Sequence, residues 1–89
     1  MHKRYFTNIP PADGHPGLEL VWAENCQPAI DHGIACAERW LASDHGGHLW
    51  TALILGRERQ HTAIQHTAFE VGFLTRLQQR VMREADESL

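Results

Sequence analysis

HLWTALILGRERQHTAIQHTAFEVGFLTRLQQRVMREA, residues 48–85, runs for 38 positions without a proline and carries half of the large apolar side chains of the chain. Leu53, Ile64, Ala68, Val71 and Met82 share one side at about 100° per residue, the helical period. The spacing predicts one long helix from His48 to about Ala85, or two helices broken near Gly56. Leu55, Phe69, Phe73 and Leu77 fall roughly opposite that stripe. Two apolar faces need two partners, and a single short helix covers only one of them. A homodimer packing its long helices into a four-helix arrangement covers both, which makes Leu55, Phe69, Phe73 and Leu77 the expected dimer interface.

Upstream, Asn25 is a capping residue type, Pro28 is tolerated in a first turn, and Ile30, Ile34, Ala37 and Leu41 recur at helical spacing. These signals predict a first helix over residues 26–43. Ser43-Asp44-His45-Gly46-Gly47 then ends it with weak helix formers and two glycines. Residues 1–17 hold Pro10, Pro11, Pro16, Gly14 and Gly17, a cluster that cannot sustain a helix. They read as an irregular arm with a short extended piece at Tyr5–Ile9. Leu18–Trp22 fits a short strand or a first helical turn equally well. The expected architecture is all-α: an irregular N-terminal arm over residues 1–24 and a helical hairpin over 25–89, one helix shorter than the other. The alternative makes Leu49–Leu55 a strand paired with Leu18–Trp22, an α+β domain.

With 89 residues, the chain is one small domain whose surface is only partly buried on folding, so an external stabiliser is expected. Its 43% hydrophobic and 21% charged residues are ordinary globular composition. The basic start Met1-His2-Lys3-Arg4 leads into prolines rather than an apolar signal-peptide core, and the longest apolar run, Ala52 to Leu55, is far short of the ~20 residues that span a bilayer. Cys26 and Cys36, on one helix, would stand roughly 15 Å apart, beyond disulfide reach. Reduced thiols in a cytoplasmic setting follow. A net charge of −3 opposes a general nucleic-acid role.

Seven histidines raise a metal hypothesis, because imidazole is a common ligand for zinc and copper. His32 and Cys36, four apart, share a helix face and form half of a site, with His61 or His66 as the third ligand. His61 and His66 themselves, five apart, point about 140° away from each other. His45-Gly46-Gly47-His48 offers two more imidazoles on a turn, without further ligands. Asp31 is turned about 100° from His32 and does not orient it, and no phosphate-binding loop, nucleophile elbow or paired-cysteine knuckle occurs, so no catalytic site is expected. Arg76, Arg80 and Arg83 recur at helical spacing, as a strip for an acidic partner or a solvated helix end. The functional expectation is a small interaction or adaptor protein, homodimeric and cytoplasmic, with no cofactor. A metal-responsive regulator using His32, Cys36 and His61 is the alternative. A third reading is an antitoxin-like partner that inhibits another protein through its acidic first half.

Overall fold

The computed structural model describes residues 3–43 and 47–87. Two strands, β1 (Tyr5–Ile9) and β2 (Leu18–Trp22), precede three helices, α1 (Gln27–Ala42), α2 (Leu49–Glu58) and α3 (Ala63–Glu87). The strands pair antiparallel, Tyr5 opposite Trp22 and Ile9 opposite Leu18. The fold is therefore α+β, and the all-α expectation is corrected. The extended piece at Tyr5–Ile9 and the strand option at Leu18–Trp22 are partners of one another, while Leu49–Leu55 is helical.

Side-chain alternation explains the hairpin. Thr7 and Ile9 of β1 are buried and Leu20 and Trp22 of β2 half-buried, whereas Phe6, Asn8, Glu19 and Val21 face outward. The reversal needs left-handed backbone, which Asp13 (φ 52°) and Gly14 (φ 79°) supply; Asp and Gly are among the residues that tolerate it. Ala12 and His15 close the turn through reciprocal backbone bonds of 3.1 and 2.9 Å. A lone two-stranded sheet is marginal in water. This one is tied down on both sides of its inner strand face. Trp22 Nε1 donates to Thr7 Oγ1 at 2.8 Å, and Ile9, Leu20 and Trp22 pack with Cys26, Ala29 and Ile30 of the α1 segment and Ala68 of α3. The Gln27 amide accepts from the Asn8 N–H (2.8 Å) and donates to the Asn8 carbonyl (3.1 Å), so α1 satisfies the free edge of β1.

α1 begins one residue later than the predicted start, with Pro28 in its first turn and Cys26, not Asn25, at the cap position. The break in the long segment falls at residues 59–62 and not near Gly56. Thr62 begins α3: its Oγ1 accepts from the Gln65 N–H (3.1 Å), and the Gln65 side chain accepts from the His61 N–H (3.1 Å), a capping box displaced by one residue. The Thr62 hydroxyl also donates to Glu24. Because α2 and α3 are separate, Leu53 and Leu55 share no helical phase with residues 64–82; within α3 the two faces remain, and one chain covers both, Ala68 and Val71 in the cluster under the hairpin and Phe69, Phe73 and Leu77 against α1 and α2.

α1 and α3 approach closely through glycine. A methyl group at Gly33 would collide with the Phe69 carbonyl oxygen and stand 2.9 Å from the Phe73 nitrogen, and one at Gly72 would collide with the Ile30 carbonyl. Gly56, buried within α2, leaves room for the Phe69 ring. Phe69, Phe73, Leu77 and Ala37 make the second core cluster, flanked by Trp40, Leu41, Ala52 and Leu53. The turn expected over Asp44–Gly46 and the ends Met1, His2, Ser88 and Leu89 lie outside the described residues.

Gly72→Ala should destabilise the protein by about 1–3 kcal/mol, since its neighbours are backbone atoms that cannot rotate away. Gly47→Ala, with nothing within 4 Å of the added carbon, should stay within about 0.5 kcal/mol of the parent. Urea unfolding of the two variants checks the contrast.

Candidate protein-interaction surface

The arginine strip of α3 faces its own N-terminal turn. Asp13 accepts from Arg76 (2.6 Å), Arg80 (3.3 Å) and Arg83 (3.0 Å), and Arg76 also donates to Glu38 on α1 (3.2 Å). The Arg76 hydrogen bond, opposed by partial burial and reinforced by Arg83 and Arg80, holds the Asp13 carboxyl at about 2, below the ordinary carboxylate range. Gln79 donates to the Pro10 and Pro16 carbonyls (3.1 and 3.3 Å), and His15 meets Asp86 (3.1 Å). The strip is an internal clasp and is not free for an acidic partner.

The proposed metal ligands are placed in two different hollows. His32 lines a cleft with His61, Gln60 and Gln65, while Cys36 lines a groove between α1 and α2. His32 Nδ1 is met by the Gln60 amide at 2.9 Å, its ring lies edge-on to Phe69 (5.4 Å between centroids), and burial, then Arg39 and Arg59, pushes its pKa down. The amide donor, burial and the two arginines favour a neutral imidazole that accepts at Nδ1. The Cys36 sulfur receives Arg39 Nη2 at 3.0 Å. His66 binds the Gln60 carbonyl (3.0 Å) and so fixes the α2–α3 link. Among the described residues, no three His, Cys, Asp or Glu side chains are gathered as a metal cage. His45 lies outside the described residues, and His48 stacks on Trp50.

Of the four residues expected at a dimer interface, Phe69 and Phe73 are fully covered by α1 and α2, and Leu77 nearly so; Leu55 alone is exposed, at 59%. Besides Leu18, Leu49, Ile64 and Met82, the large apolar side chains exposed among the described residues fall into three sets. Phe6 and Val21 are cross-strand neighbours on the outer face of the hairpin. Leu74 and Val81 make a ridge on α3. Trp50, Ile54 and Leu55 lie on α2, and Leu55 borders the groove with Cys36, Trp40 and Ala52. Exposed apolar side chains grouped in this way are candidate contact surfaces for a protein partner.

The sequence profile of a family described as LasR-specific antiactivator QslA matches residues 11–81. The chain belongs to the QslA family. Among solved structures, a chain in the crystal structure of the LasR LBD–QslA complex from Pseudomonas aeruginosa is 54% identical. The two agree with a TM-score of 0.85, over 89% of this chain and 84% of that one. No curated protein sequence matches. A QslA-type antiactivator acts by protein interaction without catalysis, so this chain is a small protein-binding regulator and not an enzyme. No helix among the described residues is long and apolar enough to cross a membrane.

Sequence reasoning missed Asp13, Gln27, Gln60 and Gln79, which tie the turn, the strand edge and the helix link together. Asp13-Gly14 was legible as a turn signal, but nothing in the sequence placed α3 opposite it.

Asp13 is charged in the fold down to about pH 2 and protonates near 3.9 when unfolded. Its contribution is complete above about pH 4 and is lost as pH falls through 2. Asp13→Asn keeps a residue suited to positive φ, so it should lower the melting temperature at pH 7, with the gap to the parent closing between pH 4 and 2. Thermal melts across that range test it.

Proposed function

We propose that this chain is an antiactivator that binds the ligand-binding domain of a LasR-type transcriptional regulator and keeps it from acting. The supporting observation is the family match over residues 11–81, reinforced by 54% identity and a shared fold with a chain of the LasR LBD–QslA complex. The physics suits the role. A binder without turnover acts by occupancy, so its effect is set by its concentration against the dissociation constant. A standard interface takes about 800 Å² from each partner. The whole chain exposes 6067 Å², enough for one such contact and a second elsewhere.

Self-association is the second reading, favoured by Leu74 (50% exposed) and Val81 (59%), two turns apart on the outward side of α3. The dimer seam belongs there and not at the buried Phe69 and Phe73. Action in the cytoplasm accords with Cys26 and Cys36 both being free thiols.

Isothermal titration of the purified chain into the P. aeruginosa LasR ligand-binding domain should show saturable binding, and co-expression should lower transcription from a LasR-dependent reporter. An absence of heat and of repression together would end the antiactivator reading. Light scattering should give twice the chain mass for the parent and the single mass for Leu74→Asp/Val81→Asp; a parent of single mass removes the dimer.

A further inference from the structure

Six arginines lie in or at the ends of the helices, and four are bonded to carboxylates. Arg57 holds Glu70 (2.9 Å) and Glu58 (3.6 Å). Arg76, Arg80 and Arg83 share Asp13, with Glu38 and Glu87 completing the set. Arg39 and Arg59 have no carboxylate partner among the described residues. Arg39 rests instead on the Cys36 sulfur, and Arg59 caps the end of α2 with its backbone.

Both unpaired guanidiniums border the same groove, about 340 Å³, between α1 and α2. Its remaining lining is apolar or soft, Trp40, Ala52, Leu55, Gly56 and Cys36, with no carboxylate among the described residues. Trp40 is held in place by its Nε1–H bond to the Gly47 carbonyl, 2.8 Å, so the floor is preformed. The positive field is felt inside the protein as well, where Arg39 and Arg59 add to burial in favouring the neutral form of His32. On a chain of net charge −3, this is a local inversion of sign over an apolar floor.

We propose that the groove seats an acidic, apolar-faced segment of the protein partner, with one aliphatic or aromatic side chain entering beside Trp40 and Leu55 and carboxylates pairing with Arg39 and Arg59. The inference rests on the antiactivator reading, in which that partner is a LasR-type ligand-binding domain. Arginine is suited to the task because its planar fork engages a carboxylate through two parallel hydrogen bonds. The other exposed apolar sets lack this combination. The outer hairpin pair Phe6 and Val21 has the exposed Arg4 two residues before Phe6 but is a flat cross-strand pair next to Asn8 and Glu19, and the Leu74–Val81 ridge is convex by its place on a helix, with the neighbouring Arg80 already bonded to Asp13.

The test uses the full chain and the P. aeruginosa LasR ligand-binding domain in biolayer interferometry at 50 and 500 mM salt. Arg39→Glu/Arg59→Glu should weaken binding by roughly tenfold or more at low salt, with much of the difference disappearing at high salt, as expected for charges at an interface rim. Leu55→Asp should weaken it comparably at both salts, while Phe6→Ser on the hairpin should bind as the parent does. All four altered side chains are exposed, and unchanged melting temperatures will confirm intact folding. If the double charge reversal and Leu55→Asp, both folded, bind within twofold of the parent, the groove is not the seat. If the parent itself fails to bind, the partner assignment falls together with the groove.

Discussion

The approach of α1 to α3 is the constraint from which the rest of the structure follows. Gly33 and Gly72 stand where the two backbones meet, and each faces a carbonyl of the other helix with no space for a methyl group. That proximity brings Phe69 under α1, and Gly56 on α2 yields to the same ring. Three helices are thus fixed about one aromatic side chain by the absence of three others. The hairpin then closes the end of this unit, adding Ile9 and Trp22 to the cluster around Ile30 and Ala68. A chain of this length can bury enough apolar surface only if such contacts are close-packed, because dispersion falls away steeply with small gaps.

Much of this was readable in the amino-acid sequence, though not its assembly. Ile30, Ile34, Ala37 and Leu41 placed α1 within a residue at each end, since helical periodicity with a first-turn proline is a strong local pattern. Tyr5–Ile9 was read as extended and Leu18–Trp22 fitted a strand or a helical turn equally, because pairing is a long-range fact, and the cluster of prolines between them masked a tight turn made by Asp13 and Gly14. The α2–α3 boundary was misplaced because glycine is a general helix breaker by propensity, whereas Gly56 is there for packing and the true stop is a side-chain cap at Thr62 and Gln65. Once that boundary is correct, Phe69 and Phe73 move from a surface face to the core.

The candidate surface was legible only in its ingredients. Arg39, Arg59, Cys36 and Leu55 come from two helices, and their joint placement depends on how α2 folds back along α1. Sequence periodicity treats α3's arginines and these two as equivalent positive charges. The fold separates them: one group is neutralised internally, the other is left facing solvent. His32 and Cys36 illustrate the converse, because four-residue spacing put them on one helical face while the arrangement of α2 and α3 gave each a different neighbourhood.

Position 13 shows how narrowly a single residue can be specified. Its backbone has φ of 52°, a conformation open to glycine, asparagine and aspartate but costly for most other side chains. Its carboxylate is the shared acceptor for Arg76, Arg80 and Arg83. Glycine and asparagine meet the first requirement and fail the second, and glutamate meets the charge but not the backbone. Aspartate is the one amino acid that satisfies both, so a residue in a loop, where substitution is ordinarily tolerated, has fewer acceptable replacements than the leucines of the core.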